Sequence, residues 1–173
     1  MPPIIVSLGG SLIVTERGIQ TAFLKKFCAL ILRHVRRGKK FIIVCGGGWT
    51  CRQYQNAART LGIARKESLD WIGIYSTFLN ASLVLQMFGK AATDAIGKNP
   101  AKHVSFPRVL ITCGYMPGHS TDTDTAKLAH THRAREIINL SNVSYVYDKD
   151  PKKFSSAKKF SNLSWDRLLK ITG

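Results

Sequence analysis

The stretches IIVSLGGS, residues 4–11, and FIIVCGGG, residues 41–48, decide the fold. Each is a short apolar run, rich in β-branched side chains, that stops on consecutive glycines: Gly9 and Gly10 in the first, Gly46, Gly47 and Gly48 in the second. Such runs read as buried strands. Glycine at a strand end leaves backbone N–H groups uncovered, and the positive end of a following helix adds attraction for an anion. One such turn is ordinary strand punctuation. Two, each opening a helix-like segment, point to a phosphate site. Neither is a common nucleotide fingerprint: the second turn, GGGWTC, lacks the last glycine of GxGxxG and the lysine of GxxxxGK[ST].

Between the two turns, Ile19, Phe23, Phe27, Leu30, Ile31 and Val35 recur at helical spacing and predict a helix that ends at Gly38. Beyond the second turn the pattern predicts a helix over 49–61 and another over 68–88, with Ser68 as N-cap and Asp70 and Trp71 in its first turn. Residues 89–107, with Asn99 before Pro100, read as loop. A third buried strand over 109–113 runs into Gly114, Tyr115, Met116, Pro117 and Gly118, then a helix beginning near Asp122. A fourth strand over 136–140, a short one over 145–147 and a helix over 160–171 complete the chain. Strands alternating with helices predict an α/β fold: a mostly parallel central sheet sandwiched between helices, as one domain over 1–173. In such sheets ligands sit at the carboxyl ends of the strands, where all the glycine turns fall.

At 173 residues and 45% hydrophobic, the chain suits one globular domain with a core. The longest apolar runs are short strands, and no stretch is expected to reach the ~20 residues of a membrane span. Met1, Pro2 and Pro3 lead directly into a strand and leave no room for a signal peptide, so a cytoplasmic location and no membrane partner are expected. Cys28, Cys45, Cys51 and Cys113 form no CxxC pair and no zinc spacing with the histidines, which predicts reduced, structural thiols and no protein-only metal site. Twenty-six Lys and Arg against 10 Asp and Glu give a net charge of +16 and imply anionic partners. The chain carries no RNA-binding signature, neither an aromatic RNP strand nor a GxxG loop with clustered lysines, so no specific nucleic acid is expected. The scarce acids Asp70, Asp122, Asp124, Asp148 and Asp150 concentrate in the punctuated segments.

Four strand-end loops are therefore expected to converge, those at 9–11, 46–48, 117–124 and 142–151. In the third, Ser120, Thr121, Thr123 and Thr125 interleave with Asp122 and Asp124. That run is equally a helix cap or a set of hydroxyls and carboxylates for phosphate and Mg2+, the electrostatic work that phosphoryl transfer needs. His119 either contacts a phosphate or packs.

These residues, in order, resemble the amino-acid kinase superfamily and, within it, the archaeal-type uridylate (UMP) kinases. The resemblance is carried by SLGGSLIV, FIIVCGGG with Arg52, DWIGIYSTFLN from Asp70 to Asn80, PGHSTDTD, and INLSNVSYVYDKDPKKF followed by AKK. It implies a kinase that moves the γ-phosphoryl group of ATP to UMP in pyrimidine nucleotide biosynthesis, with Mg2+ bound with the nucleotide. A catalytically impaired nucleotide-binding domain, or a superfamily kinase acting on an amino acid or carbamate, is the alternative. By resemblance Gly9, Gly10, Ser11, Gly48, Arg52, Ser141, Asn142, Tyr147 and Asp150 bind ATP. Gly47, Asp70, Tyr115, Met116, Pro117, Gly118, His119, Ser120 and Thr121 bind UMP, with Asp70 on the ribose. Asp122 and Arg52 are the catalytic pair. On their own, Tyr147 reads equally as core and Asp150 with Pro151 as a turn. The sequence departs from the resemblance at Ser7, where many superfamily members carry a lysine that archaeal-type relatives can do without, and at Trp49, where those relatives often carry one. The resemblance also implies a homo-oligomer, and a further helix and strand beyond Gly173 that this chain lacks.

Overall fold

The computed structural model describes residues 1–142, 145–149, 151 and 153–161. They fall into two compact units, Met1–Ser141 and Asn142–Gly173. In the first, β1 (Ile4–Leu8) leads through the short α1 (Gly10–Ile13) and a small hairpin, β2 (Val14–Thr15) with β3 (Gly18–Ile19), to α2 (Thr21–Arg36). There follow β4 (Phe41–Cys45), α3 (Gly48–Thr60), α4 (Lys66–Phe88), a 3-10 turn (Gly89–Ala91), β5 (Val109–Thr112), α5 (Thr121–Thr131) and β6 (Ile137–Leu140). In the second unit β7 (Val146–Tyr147) pairs antiparallel with β8 (Lys159–Phe160).

The four long strands form one sheet in the order β5-β4-β1-β6, and every neighbouring pair is parallel. Parallel neighbours require crossovers, and the period-2 alternation of the strands sorts their side chains to the helices on either face. Val6, Leu8, Ile43, Cys45, Val109 and Ile111 pack with Leu24, Phe27, Ile31 and Val35 of α2 and with Ala81, Val84 and Phe88 of α4. On the other face Ile5, Ile42, Val44 and Leu110 pack with Phe106 and with Leu128 of α5. Fully burying one such side chain stabilises the fold by roughly 1.5–3 kcal/mol. The strand order steps outward from β1 to β4 to β5, then α5 carries the chain back to β6 on the far side of β1. The order reverses between β1 and β6, which makes the rim beyond their carboxyl ends the topological switch point.

That rim is closed by an interlock of the two glycine turns. A Cβ on Gly10 would lie 2.0 Å from the Gly48 nitrogen and 2.7 Å from the Gly46 carbonyl carbon. On Gly48, which has φ +65°, it would lie 2.3 Å from the Gly10 oxygen. Only bare backbone fits on both sides. The Gly46 N–H donates to the Leu8 oxygen at 3.0 Å and the Gly9 N–H to the Leu140 oxygen at 2.9 Å, so β4, β1 and β6 are tied together just where the strands end.

Several elements differ from the sequence reading. Ile19 sits in β3 and is 54% exposed, because the Gln20 amide ties the hairpin to the Thr15 hydroxyl and the Gly18 oxygen and the helix starts only at Thr21. Ser68 is the third residue of α4 and does not cap it; the helix opens at Lys66, with Glu67 in its first turn paired to Arg65. Residues 89–107 are not all loop: they hold the 3-10 turn, and Ala92 and Gly97 bridge to Val109 and Thr112. Phe160 belongs to β8 and Ser161 lies in a bend after it, while the rest of the expected last helix, from 162 on, lies outside the described residues. Residues 66–91 form a helix long and apolar enough to cross a membrane, with 33% of its most apolar window buried. The sequence reading missed this because Ser, Thr, Gly and Asn interrupt its apolar runs. Leu69, Ser76, Thr77, Asn80, Ala81, Val84 and Phe88 are buried, and Trp71, Tyr75, Phe78, Leu79 and Leu83 are exposed.

His132 caps the end of α5, buried, stacked on His103 at 4.6 Å, with its Nε2 lacking a partner among the described residues. Burial, and then the neighbouring His103, push its pKa below the ordinary 6.5. The unfolded chain therefore binds this proton more readily, and the stability that neutral His132 carries is present above about pH 6.5 and lost as pH falls. Melting temperature should drop between about pH 7.5 and pH 5.5, and His132→Phe should flatten that slope; an unchanged slope would contradict the assignment. The interlock predicts that Gly10→Ala costs on the order of 3 kcal/mol in urea unfolding. Gly62→Ala, at φ +84° in open space, should cost only about 1 kcal/mol. The reverse order would refute the interlock.

Candidate active site

The second glycine turn is held from below by α4. The Asn80 amide, buried, donates to the Gly46 oxygen at 2.7 Å and to the Gly47 oxygen at 3.1 Å. The Gly46 and Gly47 carbonyls are thus held by α4 and the Gly46 N–H by Leu8, while α3 begins at Gly48. Gly47 packs on Cys51, whose Cβ would be 2.6 Å from a Cβ added there. One residue further on, Arg52 is exposed and its guanidinium lies 5.5 Å from the centre of the Trp49 ring. On the first turn, Gly10 is buried and Ser11 half-buried at the start of α1.

The third loop, between β5 and α5, is fixed by side chains from two helices. The Gly114 N–H donates to the Thr77 hydroxyl at 2.9 Å, and the Gly118 N–H to Oδ2 of Asp70 at 2.9 Å. Asp124, 1% exposed, accepts the Tyr115 N–H on Oδ2 at 3.0 Å and meets Nδ1 of His119 with Oδ1 at 2.9 Å. Gly118 takes φ +81°, which the turn back toward His119 requires. Ser120 caps α5, accepting the Thr123 N–H at 3.1 Å. Thr121, the first residue of α5, accepts the Thr125 hydroxyl on its carbonyl at 2.6 Å. Asp122 is exposed in the first turn, and the Ser7 hydroxyl of β1 donates to its Oδ1 at 3.4 Å. The third loop therefore reaches the rim of β1 through Asp122.

Gly9, Gly10 and Ser11 thus stand against Gly46, Gly47 and Gly48, with Asp122 at Ser7. Tyr115, Met116, Pro117, Gly118, His119, Ser120 and Thr121 form one loop running into α5, with Asp70 bonded to it. Ser141 ends the first unit. Asn142 and Tyr147 belong to the second unit, where Tyr147 pairs with Lys159. Asp150 lies outside the described residues.

Sequence reasoning missed two supports, Asn80 and Thr77 of α4, and it named Asp124 only within the capping or phosphate run, not as the buried anchor of the loop. Its signal was legible, since Asp124 and Leu128 stand four apart on one face of α5 and both are buried. Among the described residues no group of three or more His, Cys, Asp or Glu is placed to hold a metal. The cysteines are free, and burial pushes the thiol of Cys45 up, and that of Cys113 up to about 11, so neither is a nucleophile near neutral pH.

A model of the amino acid kinase family matches residues 2–173. The uridylate kinase of Archaeoglobus fulgidus is 36% identical over 170 residues, covering 97% of this chain and 75% of the relative. That of Thermoplasma volcanium is 35% identical over 172 residues, covering 98% and 74%. The crystal structure of uridylate kinase from Archaeoglobus fulgidus superimposes with a TM-score of 0.82 at 34% identity, over 98% of this chain and 77% of that one. Aspartate kinase from Synechocystis, at 13% identity and a TM-score of 0.76, shares the fold, covering 97% of this chain and 33% of its own. With its sheet order, its interlocked glycine turns and a family match along nearly its whole length, the chain belongs to the amino acid kinase family.

Proposed function

We propose that this protein transfers the γ-phosphoryl group of ATP to UMP, giving UDP and ADP. The observation that carries the reading is the pair of interlocked glycine turns at the switch point of a parallel sheet, with the Asp122 carboxylate beside them on Ser7. Two side-chain-free turns held together at the rim put no Cβ of their own between their backbone and an approaching phosphate oxygen. The names of the relatives support the choice of acceptor.

In this reading Gly9, Gly10, Ser11 and Gly48 receive the ATP phosphates, with Arg52 as the cation on that side. Ser141, Asn142, Tyr147 and Asp150 surround its nucleoside. Gly47 and the loop from Tyr115 to Thr121 receive UMP, and Asp70 binds its ribose with the carboxylate that also holds Gly118. Mg2+, carried in by the nucleotide, supplies charge neutralisation between the phosphates. No covalent enzyme intermediate is needed: the chain's own work is to align acceptor and donor in line and to exclude competing geometry. Asp122 orients donors at the reacting centre.

A second reading, a nucleotide-binding domain of reduced catalytic power, is favoured by two particular contacts. A hydroxyl from Ser7, not an ammonium, meets Asp122, and Trp49 takes Arg52 into a stack. Removing one electrostatic contact to a developing charge can cost roughly a hundred-fold in rate.

A coupled ADP-release assay separates these readings. UMP should give turnover while aspartate, glutamate and carbamate give none, and Asp122→Asn should lower the rate by roughly a hundred-fold. Tight binding of UMP and ATP without ADP release would replace the first reading by the second. Turnover of an amino acid or carbamate but not UMP would move the protein to another branch of the family.

A further inference from the structure

Asp124 is the most buried carboxylate of the first unit, and the reaction as read above gives it no part. Both of its oxygens are occupied. Oδ2 accepts the Tyr115 N–H at 3.0 Å; Oδ1 lies 2.9 Å from Nδ1 of His119. The far nitrogen of the same ring, Nε2, lies 3.1 Å from the ammonium of Lys127, one turn of α5 further on. An ammonium has donors and no acceptor, so Nε2 receives a hydrogen bond through its lone pair, and the ring hydrogen sits on Nδ1, facing Asp124. The chain Asp124, His119, Lys127 thus has one consistent assignment of donors and acceptors. It spans the loop from Tyr115 to the helix that follows.

We infer that Asp124 is a positioning residue for the acceptor: acting through the Tyr115 amide and the His119 ring, it holds the 115–119 loop in the shape that receives UMP. This rests on the assignment of that loop to UMP under the proposed function. The requirement is for a carboxylate in particular, because both groups facing residue 124 are donors. A carboxamide presents one oxygen and one NH2, so whichever way it turns, one of its faces sets donor against donor, unless His119 gives up the Nδ1 hydrogen. Giving it up moves the hydrogen to Nε2, against the Lys127 ammonium, and that link breaks. Asp70 grips the same loop at Gly118 from the side of α4, and Thr77 grips Gly114. Asp124 holds the loop from the side of α5, at Tyr115 between those two points and at His119 just beyond Gly118.

The test compares the full chain with Asp124→Asn, using nitrogen-15 NMR of the histidine side chains without ligand and calorimetric titration with UMP and, separately, a non-hydrolysable ATP analogue. In the parent, Nδ1 of His119 should show the shift of a protonated ring nitrogen and Nε2 that of an unprotonated one. In Asp124→Asn the two should exchange, UMP should bind at least ten-fold more weakly, and the ATP analogue should bind within two-fold of the parent. Equal weakening of both nucleotides would mark a general loss of fold and overturn the inference, as would unchanged UMP binding. His119→Phe, which removes the ring's hydrogen bonds and leaves Asp124 on Tyr115, should also weaken UMP and spare the ATP analogue; UMP binding at the parent's level would remove His119 from the chain of contacts. If the parent itself binds no UMP while its tautomer is as assigned, it is the acceptor reading that fails, and the inference falls with it.

Discussion

The structure depends on a contact that has no side chain in it. Gly10 and Gly48 meet backbone to backbone, at a distance where a single added carbon would sit inside the other residue's peptide. This contact joins the ends of β1 and β4, and a neighbouring hydrogen bond from Gly9 adds β6. Three of the four strands of the sheet are thereby closed at one rim. The same absence of Cβ atoms that lets the turns interlock leaves their backbone free of side-chain cover, so the fold and the proposed anion site draw on one property of the sequence.

Carboxylates do the complementary work. The protein is strongly basic, with 10 acidic residues against 26 basic ones, yet Asp70, Asp122 and Asp124 all stand at the third loop and the start of α5. Two of them accept backbone N–H groups of that loop, and the third meets Ser7. A loop fixed this way in advance loses less freedom when a ligand arrives. The basic excess lies elsewhere, for example on α2, where Lys25, Lys26, Arg33 and Arg36 are exposed. There it sets a field that draws anions toward the molecule without selecting among them.

Much of this was legible in the sequence because it follows from periodicity and punctuation. Short apolar runs ending in glycine gave β1 and β4 within a residue, and the alternation of strands with helices gave a parallel sheet. What misled was any pattern that two structures satisfy equally. Ile19 fits the helical spacing of α2 but belongs to a two-residue strand whose hairpin is held by Gln20. Ser68 is a good capping residue that here lies inside a helix begun by Lys66. The long α4 escaped notice as an apolar helix because its small polar residues, Thr77 and Asn80, break the hydrophobic run, and they do so where they bond the loops after β5 and β4. Asp124 was hidden among capping residues. In a Ser, Thr and Asp run only the position of the helix axis decides which carboxylate faces inward, and that is set by packing against β1 and β4 rather than by local propensity.

The central claim, that the glycine amides at the rim grip nucleotide phosphates, is tested most directly by following backbone amide signals during titration with UMP and a non-hydrolysable ATP analogue. The account predicts saturable shifts at Gly10, Gly47 and Gly48, larger than those on the outer face of α2. Shifts confined to the basic residues of α2, with the three glycine amides unmoved, would contradict it.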